Sequence, residues 1–302
     1  MTTVPAVPRA DGVRASVPAT AVVDGAQVRY WTYYPTPRLD GHSPVIVMVH
    51  GFRGTHQGLE LIAGNLSEFQ VVSPDLPGFG ASPPMPGRKH DVAGYATVIA
   101  GLIRQLAVGP VVLLGHSFGS IVAARIAATE PSLVSSLILV NSLATPVPAR
   151  GGPGRLGLRL ASAYYRLAAA APPRAGHVLL ASKAFTLSMS AAMAVTRDRE
   201  LRKDIHRRHL LHFSDFHNRQ LLVEAFSEVG EAGVGDYAAG ISMRTLLIAG
   251  ERDRMAPPAG QRWLLPQLAD GQLRTISGVG HLVHYEKPAA AAALIREFLA
   301  SS

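Results

Sequence analysis

The serine at position 117 stands between two glycines, in the run Gly115-His116-Ser117-Phe118-Gly119. A serine hydroxyl is a weak nucleophile until a base takes its proton and a further group orients that base. Two other segments carry such side chains. Apolar residues 246–249 lead into Gly250-Glu251-Arg252-Asp253-Arg254, a source of carboxylates, and residues 273–276 lead into Ser277-Gly278-Val279-Gly280-His281, a source of an imidazole. Together these types can attack a carbonyl: the imidazole accepts the serine proton, returns it to the leaving group, and is held in orientation by the acid.

The elements that must position them can be read from periodicity. Residues 111–114 predict a buried strand and 121–128 a helix, so Ser117 falls on a strand-to-helix turn, the context in which G-x-S-x-G exposes a nucleophile. Such a turn strains the serine backbone, and side chains at 115 or 119 would collide with neighbouring backbone. The following helix would aim its positive end at the developing oxyanion. Upstream, strands at 21–23 and 28–34 meet across Asp24-Gly25, a hairpin dipeptide. The run 45–49 reads as a strand covered on both faces, 59–66 as a helix, 71–72 as the end of a strand, 95–107 as a helix and 137–140 as a strand. Alternation stops after Asn141. It resumes with a strand at 244–249, a helix at 258–268, a strand at 273–276 and a helix at 288–299. An α/β chain with a mostly parallel central sheet flanked by helices, carrying one helical insertion at 143–235, is the expected architecture. Residues 1–20 form a loose tail in this reading, and 21–142 with 236–302 form the core.

Further motifs follow the strands. His50-Gly51-Phe52-Arg53-Gly54 comes after the first long one and Asp75-Leu76-Pro77-Gly78-Phe79-Gly80-Ala81-Ser82 after the next, with Glu286-Lys287-Pro288 behind Gly280-His281. With these, and the order Ser, Asp, His, the chain resembles the α/β-hydrolase superfamily between residues 21 and 300, in its esterase- and lipase-like branch. The resemblance implies the α/β-hydrolase fold with a helical cap, Ser117 as nucleophile, Asp253 as acid and His281 as base. It also implies an oxyanion hole made by the backbone N–H groups of Phe52 and Phe118, and no cofactor or metal. The expected activity is hydrolysis of a small-molecule carboxylic ester with an apolar acyl group.

Rivals to these roles have simpler readings. Glu251 reads as a solvated loop residue, since the family places its acid at the second position. Some members carry the acid one strand after the nucleophile, which here is Asn141, and a neutral amide cannot hold an imidazolium. His284 reads as packing, His50 and His116 as hydrogen-bonding residues that shape loops with Gly51, and Asp75 as a turn residue. His206, His209, His212 and His217 lack H-E-x-x-H spacing and lie in a charged helical stretch over 197–209, expected to be solvated. A carbon–carbon hydrolase is disfavoured by Phe118 and Phe52-Arg53, where that group usually has methionine and a glycine-rich loop. An acyltransferase or cofactor-free perhydrolase would share the triad, and a ligand-sensing member without catalysis is the alternative of another class.

Composition sets the outer limits. The 302 residues suffice for one large domain, and 48% hydrophobic against 17% charged residues suits a folded globular chain rather than a disordered one. The absence of cysteine removes disulfides, thiolate catalysis and Cys-ligated metals. Pro5, Pro8, Asp11 and Pro18 break any secretory pattern, and no apolar run matches a membrane span, so a cytoplasmic protein is expected. The net charge of +8 comes with no nucleic-acid-binding module. Arg155, Arg159, Ser162 and Arg166 share one face of a helix in the insertion, with Leu156, Leu160, Ala163 and Leu167 on the other. That pattern reads as a lid helix packed on the core with a solvated arginine face, or as peripheral contact with an anionic membrane. Phe213, Phe216 and Phe226, with Met189 and Met193, are candidates to line an apolar pocket or to pack in the core.

Overall fold

The computed structural model describes residues 14–36, 43–145, 154–213 and 215–301, apart from the side chains of 154–160. Eight strands form one sheet: β1 (Val17–Val23), β2 (Ala26–Tyr33), β3 (Ile46–Val49), β4 (Val71–Pro74), β5 (Val111–His116), β6 (Val134–Val140), β7 (Thr245–Gly250) and β8 (Gly271–Ile276). Their spatial order is β1-β2-β4-β3-β5-β6-β7-β8. The first two strands pair antiparallel, β2 meets β4 antiparallel, and every later pairing is parallel. The β1–β2 hairpin turns at Asp24 (φ 47°) and Gly25 (φ 80°), two left-handed residues as a twisted two-residue hairpin requires.

Three helices precede the insertion: α1 (His56–Gly64), α2 (Val92–Leu106) and α3 (Phe118–Thr129). Five more fill it: α4 (Gly154–Ala170), α5 (Pro173–Leu180), α6 (Lys183–Met193), α7 (Arg199–His212) and α8 (Arg219–Glu231). The chain returns to the sheet and closes with α9 (Pro258–Leu264), α10 (Val283–Glu286) and α11 (Pro288–Ala300). The strand period of two explains the layering. Val47, Val49, Leu113, Leu137, Leu139 and Leu247 face a core shared with α2 and α3. Their neighbours Ile46, Met48, Leu114, Ile138, Val140 and Ile248 face a second core with α1 and α11. Burial of each such side chain contributes about 1.5–3 kcal/mol, which is why these strands read as continuous apolar runs. Among the described residues, no helix is long and apolar enough to cross a membrane.

Three expectations need correction. The tail is not loose as far as residue 20: β1 begins at Val17, and Arg14 donates to the carbonyls of Leu66 (2.9 Å) and Phe69 (3.0 Å). Backbone pairing, rather than apolar alternation, makes 17–20 a strand, while residues 1–13 lie outside the described set. Helix α2 starts three residues before the expected Tyr95, because the Asp91 carboxylate accepts from Gly94 N–H (2.7 Å) and caps it. In α4, Ala163 and Leu167 are exposed beside Arg166, and Tyr165 and Ala168 are the buried positions. The proposed division of that helix into faces fails at 163 and 167. The side chains of Arg155, Leu156, Arg159 and Leu160 lie outside the described set.

Candidate active site

Ser117, Asp253, His281 and Phe52 lie just beyond the carboxyl ends of parallel strands, where open α/β sheets gather their ligand sites. Ser117 follows β5 at the centre of the sheet with φ 52° and ψ −118°, the only residue between that strand and α3. The flanking glycines are required by close approach. A Cβ on Gly115 would lie 2.4 Å from Gly119 O, and one on Gly119 would lie 2.3 Å from Val49 O. Ser120 Oγ donates to Ser117 O and accepts from Leu143 N–H (3.2 Å), tying the turn to the chain beyond β6.

The loop after β7 carries Asp253 and the loop after β8 carries His281. Asp253 Oδ2 lies 2.8 Å from His281 Nδ1, and His281 Nε2 lies 2.9 Å from Ser117 Oγ. A carboxylate can only accept, so Nδ1 carries the imidazole proton and the Nε2 lone pair faces the serine hydroxyl. The other oxygen, Asp253 Oδ1, accepts from Met255 N–H (2.8 Å) and Ala256 N–H (2.9 Å). Burial alone would raise the Asp253 pKa. The adjacent His281, through charge and hydrogen bond, and the two backbone donors outweigh it and hold the carboxyl below its ordinary value. All three side chains are buried, Ser117 being 8% exposed and His281 4%. Surface clefts of about 420 Å³ beside α8 and about 250 Å³ beside α11 are lined by none of them.

Phe118 is the first residue of α3, where an N–H has no partner inside the helix. Phe52 lies in the turn Gly51–Gly54, closed by Gly54 N–H to Gly51 O (2.9 Å). Among the described residues neither N–H is taken up by a turn or loop carbonyl. His50 Nδ1 donates to Gly51 O (2.8 Å) and its Nε2 accepts from Leu76 N–H (2.9 Å), so the ring joins the loops after β3 and β4. Burial lowers its pKa, in keeping with a neutral ring. Burial, reinforced by the neighbouring His281, pushes His116 down to about 3, and its Nε2 meets His281 O at 3.2 Å. His284 packs against His116 with ring centroids 4.2 Å apart. Asp75 accepts from His56 N–H (2.7 Å) and Ala81 N–H (2.9 Å), a turn-building role. Glu251 is exposed and accepts from Gly278 N–H (2.8 Å).

Some residues serve the site in ways the sequence reading did not assign. Asn141, just past the end of β6, accepts from Gly250 N–H (2.8 Å) and donates to Gly280 O (3.0 Å), so one buried amide fixes the roots of the loops that carry Asp253 and His281. Glu286 accepts from Val195 and Thr196 N–H, both at 2.8 Å, and from Gly280 N–H at 3.4 Å, linking the loop that carries His281 to the segment between α6 and α7. The charged stretch at 197–209 is only partly solvated. Arg208 forms a largely buried pair with Glu60 (2.6 Å), and His206 and His209 converge on the buried Ser190 Oγ (2.7 and 2.6 Å). Phe226 stacks on Tyr165 (4.0 Å) and lies 5.7 Å from Phe52, beside the site. Phe216 and Met193 are buried, with Met189 and Phe213 packed around the latter.

The chain belongs to the alpha/beta hydrolase fold family, whose model matches residues 44–288. Several curated relatives are matched over about a third of their own length. Lipase LipV of Mycobacterium tuberculosis (strain ATCC 25618 / H37Rv) is 32% identical over 96 residues, 32% of this chain and 36% of the lipase. A 2-hydroxy-6-oxononadienedioate/2-hydroxy-6-oxononatrienedioate hydrolase of Pseudomonas sp is 26% identical over 269 residues, covering 85% of this chain and 88% of that protein. The crystal structure of the enol-lactonase from Burkholderia xenovorans LB400 superposes with a TM-score of 0.76 at 19% identity, over 93% of this chain and 100% of that one, and shows a shared fold.

Proposed function

We propose that this protein is a serine hydrolase that cleaves carboxylic esters with an apolar acyl group through an acyl-enzyme on Ser117. The observation that carries the reading is the unbroken line Asp253–His281–Ser117, with contacts of 2.8 and 2.9 Å, at the carboxyl edge of the sheet. Ser117 Oγ attacks the ester carbonyl carbon as its proton passes to His281 Nε2. The carbonyl oxygen becomes an oxyanion, stabilised by the N–H groups of Phe52 and Phe118, each contributing a factor of about 10²–10³. The carbon–oxygen bond then breaks, and the Nε2 proton leaves with the alcohol. Water, deprotonated by His281, attacks the acyl carbon, the bond to Ser117 Oγ breaks to release the carboxylic acid, and His281 returns the proton to Oγ.

The aromatic surroundings support an apolar acyl group, since Phe52 lies between Phe118 (6.4 Å), Tyr165 (5.8 Å) and Phe226 (5.7 Å). Tyr165 and Phe226 come from α4 and α8, so the helices at 154–231 act as a cap in this reading, within an insertion at 143–235. Ser117 is 8% exposed, and in this reading those helices seat over it and lift to admit a substrate. Carbon–carbon hydrolysis is a second reading, favoured by the relative matched over 85% of the chain.

Hydrolysis of p-nitrophenyl esters from acetate to palmitate by the wild type and Ser117→Ala tests the proposal, together with labelling by a fluorophosphonate. Ester hydrolysis abolished in Ser117→Ala, with label on Ser117, is expected. Full hydrolysis by Ser117→Ala would overturn it.

A further inference from the structure

Arg53 directly follows Phe52, yet its side chain is 1% exposed, and it is the first in volume among the fully buried side chains. Among the described residues no carboxylate pairs with it. A buried cation is costly without compensation, so its partners matter. Nε donates to Phe213 O (2.9 Å), Nη2 to Leu180 O (2.8 Å) and Nη1 to Tyr165 Oη (3.2 Å). The guanidinium also lies 4.7 Å from the ring centre of Phe213 and 5.3 Å from that of Phe216. Leu180 is the last residue of α5 and Phe213 caps the end of α7, so the charge rests against the negative ends of two helices.

Every one of these partners belongs to the inserted segment. The backbone that carries the guanidinium belongs to the core. It occupies the third position of the Gly51–Gly54 turn with φ 59°, a left-handed conformation that turns ordinarily give to glycine. An arginine there holds a strained backbone in place through contacts that exist only while the helices are seated. When they lift, the guanidinium loses all three acceptors and the aromatic faces, and nothing opposes relaxation of the peptide chain at 52–53.

We infer that Arg53 is a positioning residue that couples seating of the helical insertion to alignment of the Phe52 N–H, so that the oxyanion hole is complete only in the closed enzyme. This rests on the serine-hydrolase reading above. The coupling keeps the acyl-enzyme chemistry from running while the site is open, and it acts on turnover more than on substrate binding.

The test uses the full chain and p-nitrophenyl butyrate, with variants Arg53→Ala, Tyr165→Phe and Arg208→Gln, and with Ser117→Ala as the control on the reading itself. Arg53→Ala is expected to lose about 10²-fold in kcat, the effect of a misplaced oxyanion donor, while KM changes less than about threefold. Millimolar ethylguanidine should restore part of that rate by refilling the vacated space. Tyr165→Phe should lower kcat in the same direction, by about threefold to tenfold, without changing KM. Arg208→Gln breaks another tie between insertion and core, through Glu60, and leaves kcat within about twofold of wild type.

Equal losses of kcat in Arg53→Ala and Arg208→Gln would mean that Arg53 merely braces the insertion, and would overturn the inference. If Arg53→Ala does not fold, an unchanged kcat in Tyr165→Phe overturns it instead. Activity surviving in Ser117→Ala is a separate outcome that removes the serine-hydrolase reading and the inference with it.

Discussion

Replacing Asp253 by asparagine tests the site where its geometry is most constrained. Asp253 Oδ1 accepts from two backbone N–H groups, at 2.8 and 2.9 Å, and Oδ2 faces His281 Nδ1 at 2.8 Å. An asparagine has one oxygen, and the two fixed N–H donors claim it. Its NH₂ group must then point at Nδ1, which becomes an acceptor, so the imidazole proton moves to Nε2. That nitrogen faces Ser117 Oγ at 2.9 Å and can no longer take the serine proton. The wrong tautomer costs a serine triad about 10⁴-fold in kcat, or about 5 kcal/mol of transition-state stabilisation. The shape of the loop is preserved, so the melting temperature should fall by only a few degrees. Initial rates on p-nitrophenyl butyrate give kcat, and the rate of fluorophosphonate labelling reports the nucleophilicity of Ser117 without turnover. Both should collapse together. The companion Glu251→Gln should remain within about twofold, because Glu251 is exposed and its carboxylate accepts only from Gly278 N–H among the described residues. Activity of Asp253→Asn within tenfold of wild type, or collapse in Glu251→Gln, would refute the assignment of the acid.

Three further perturbations follow from contacts in and around the site. Gly119→Ala places a methyl group 2.3 Å from Val49 O and 2.5 Å from His50 O, so the end of β3 must move. We expect insoluble protein or under about 1% of wild-type activity, and a soluble variant with normal kcat would contradict the packing of the turn. Asn141→Ala strands Gly250 N–H and Gly280 O in the interior, at about 1–3 kcal/mol for each, and should lower the melting temperature by several degrees while reducing kcat; an unchanged melting curve would refute it. Burial, with nearby histidines, pushes His116 down to about 3 and His209 to about 4 from 6.5. The unfolded chain therefore binds more protons than the native one below pH 6.5, and stability falls as pH drops from there toward 4. At pH 5 the loss is about 2 kcal/mol for each ring, so thermal melting should shift down between pH 7 and pH 5, less steeply in His209→Asn. Equal melting temperatures at the two pH values would refute it.

The parts of the site legible in the sequence are those specified by local pattern. A strand covered on both faces announces itself as an apolar run, and a residue following such a run lies at the sheet edge where sites assemble. Ser117, Asp253 and Phe52 all follow runs of that kind, His281 follows the partly exposed edge strand β8, and Gly115 and Gly119 mark where backbone passes within 2.4 Å of a would-be side chain. Boundaries were less legible where something other than hydrophobicity forms the element. Val17–Thr20 joins the sheet by pairing with Arg29–Thr32, and α2 begins at an aspartate cap rather than at its apolar stripe. Asn141 was visible only as a failed acid. Its amide is valuable because it both donates and accepts, to Gly280 and Gly250, a demand set by loops that lie over 100 residues away.

The insertion resisted reading for a related reason. Arginines in a helical stretch are ordinarily solvated, so the sequence places Arg208 and its neighbours in water and shows Arg53 only as a departure from a loop pattern. Arg53 is buried and Arg208 largely covered, each by partners remote in sequence. Arg208 meets Glu60 across 148 residues, and Arg53 reaches Phe213 across 160 and Leu180 across 127. No periodicity spans such distances, and Tyr165 and Ala168 of α4 are buried while Leu167 is exposed because neighbouring helices α5 and α8, not the helix's own pattern, choose its covered side. In the proposed reading the chemistry is written locally, at strand ends, while control over when it runs is written in the contacts of Arg53 with the inserted helices. Substitution at the Arg53 contacts should lower turnover without touching the Ser117–His281–Asp253 geometry, whereas loss of the Arg208–Glu60 tie should leave turnover within about twofold, the distinction that the Arg53 and Arg208 variants measure.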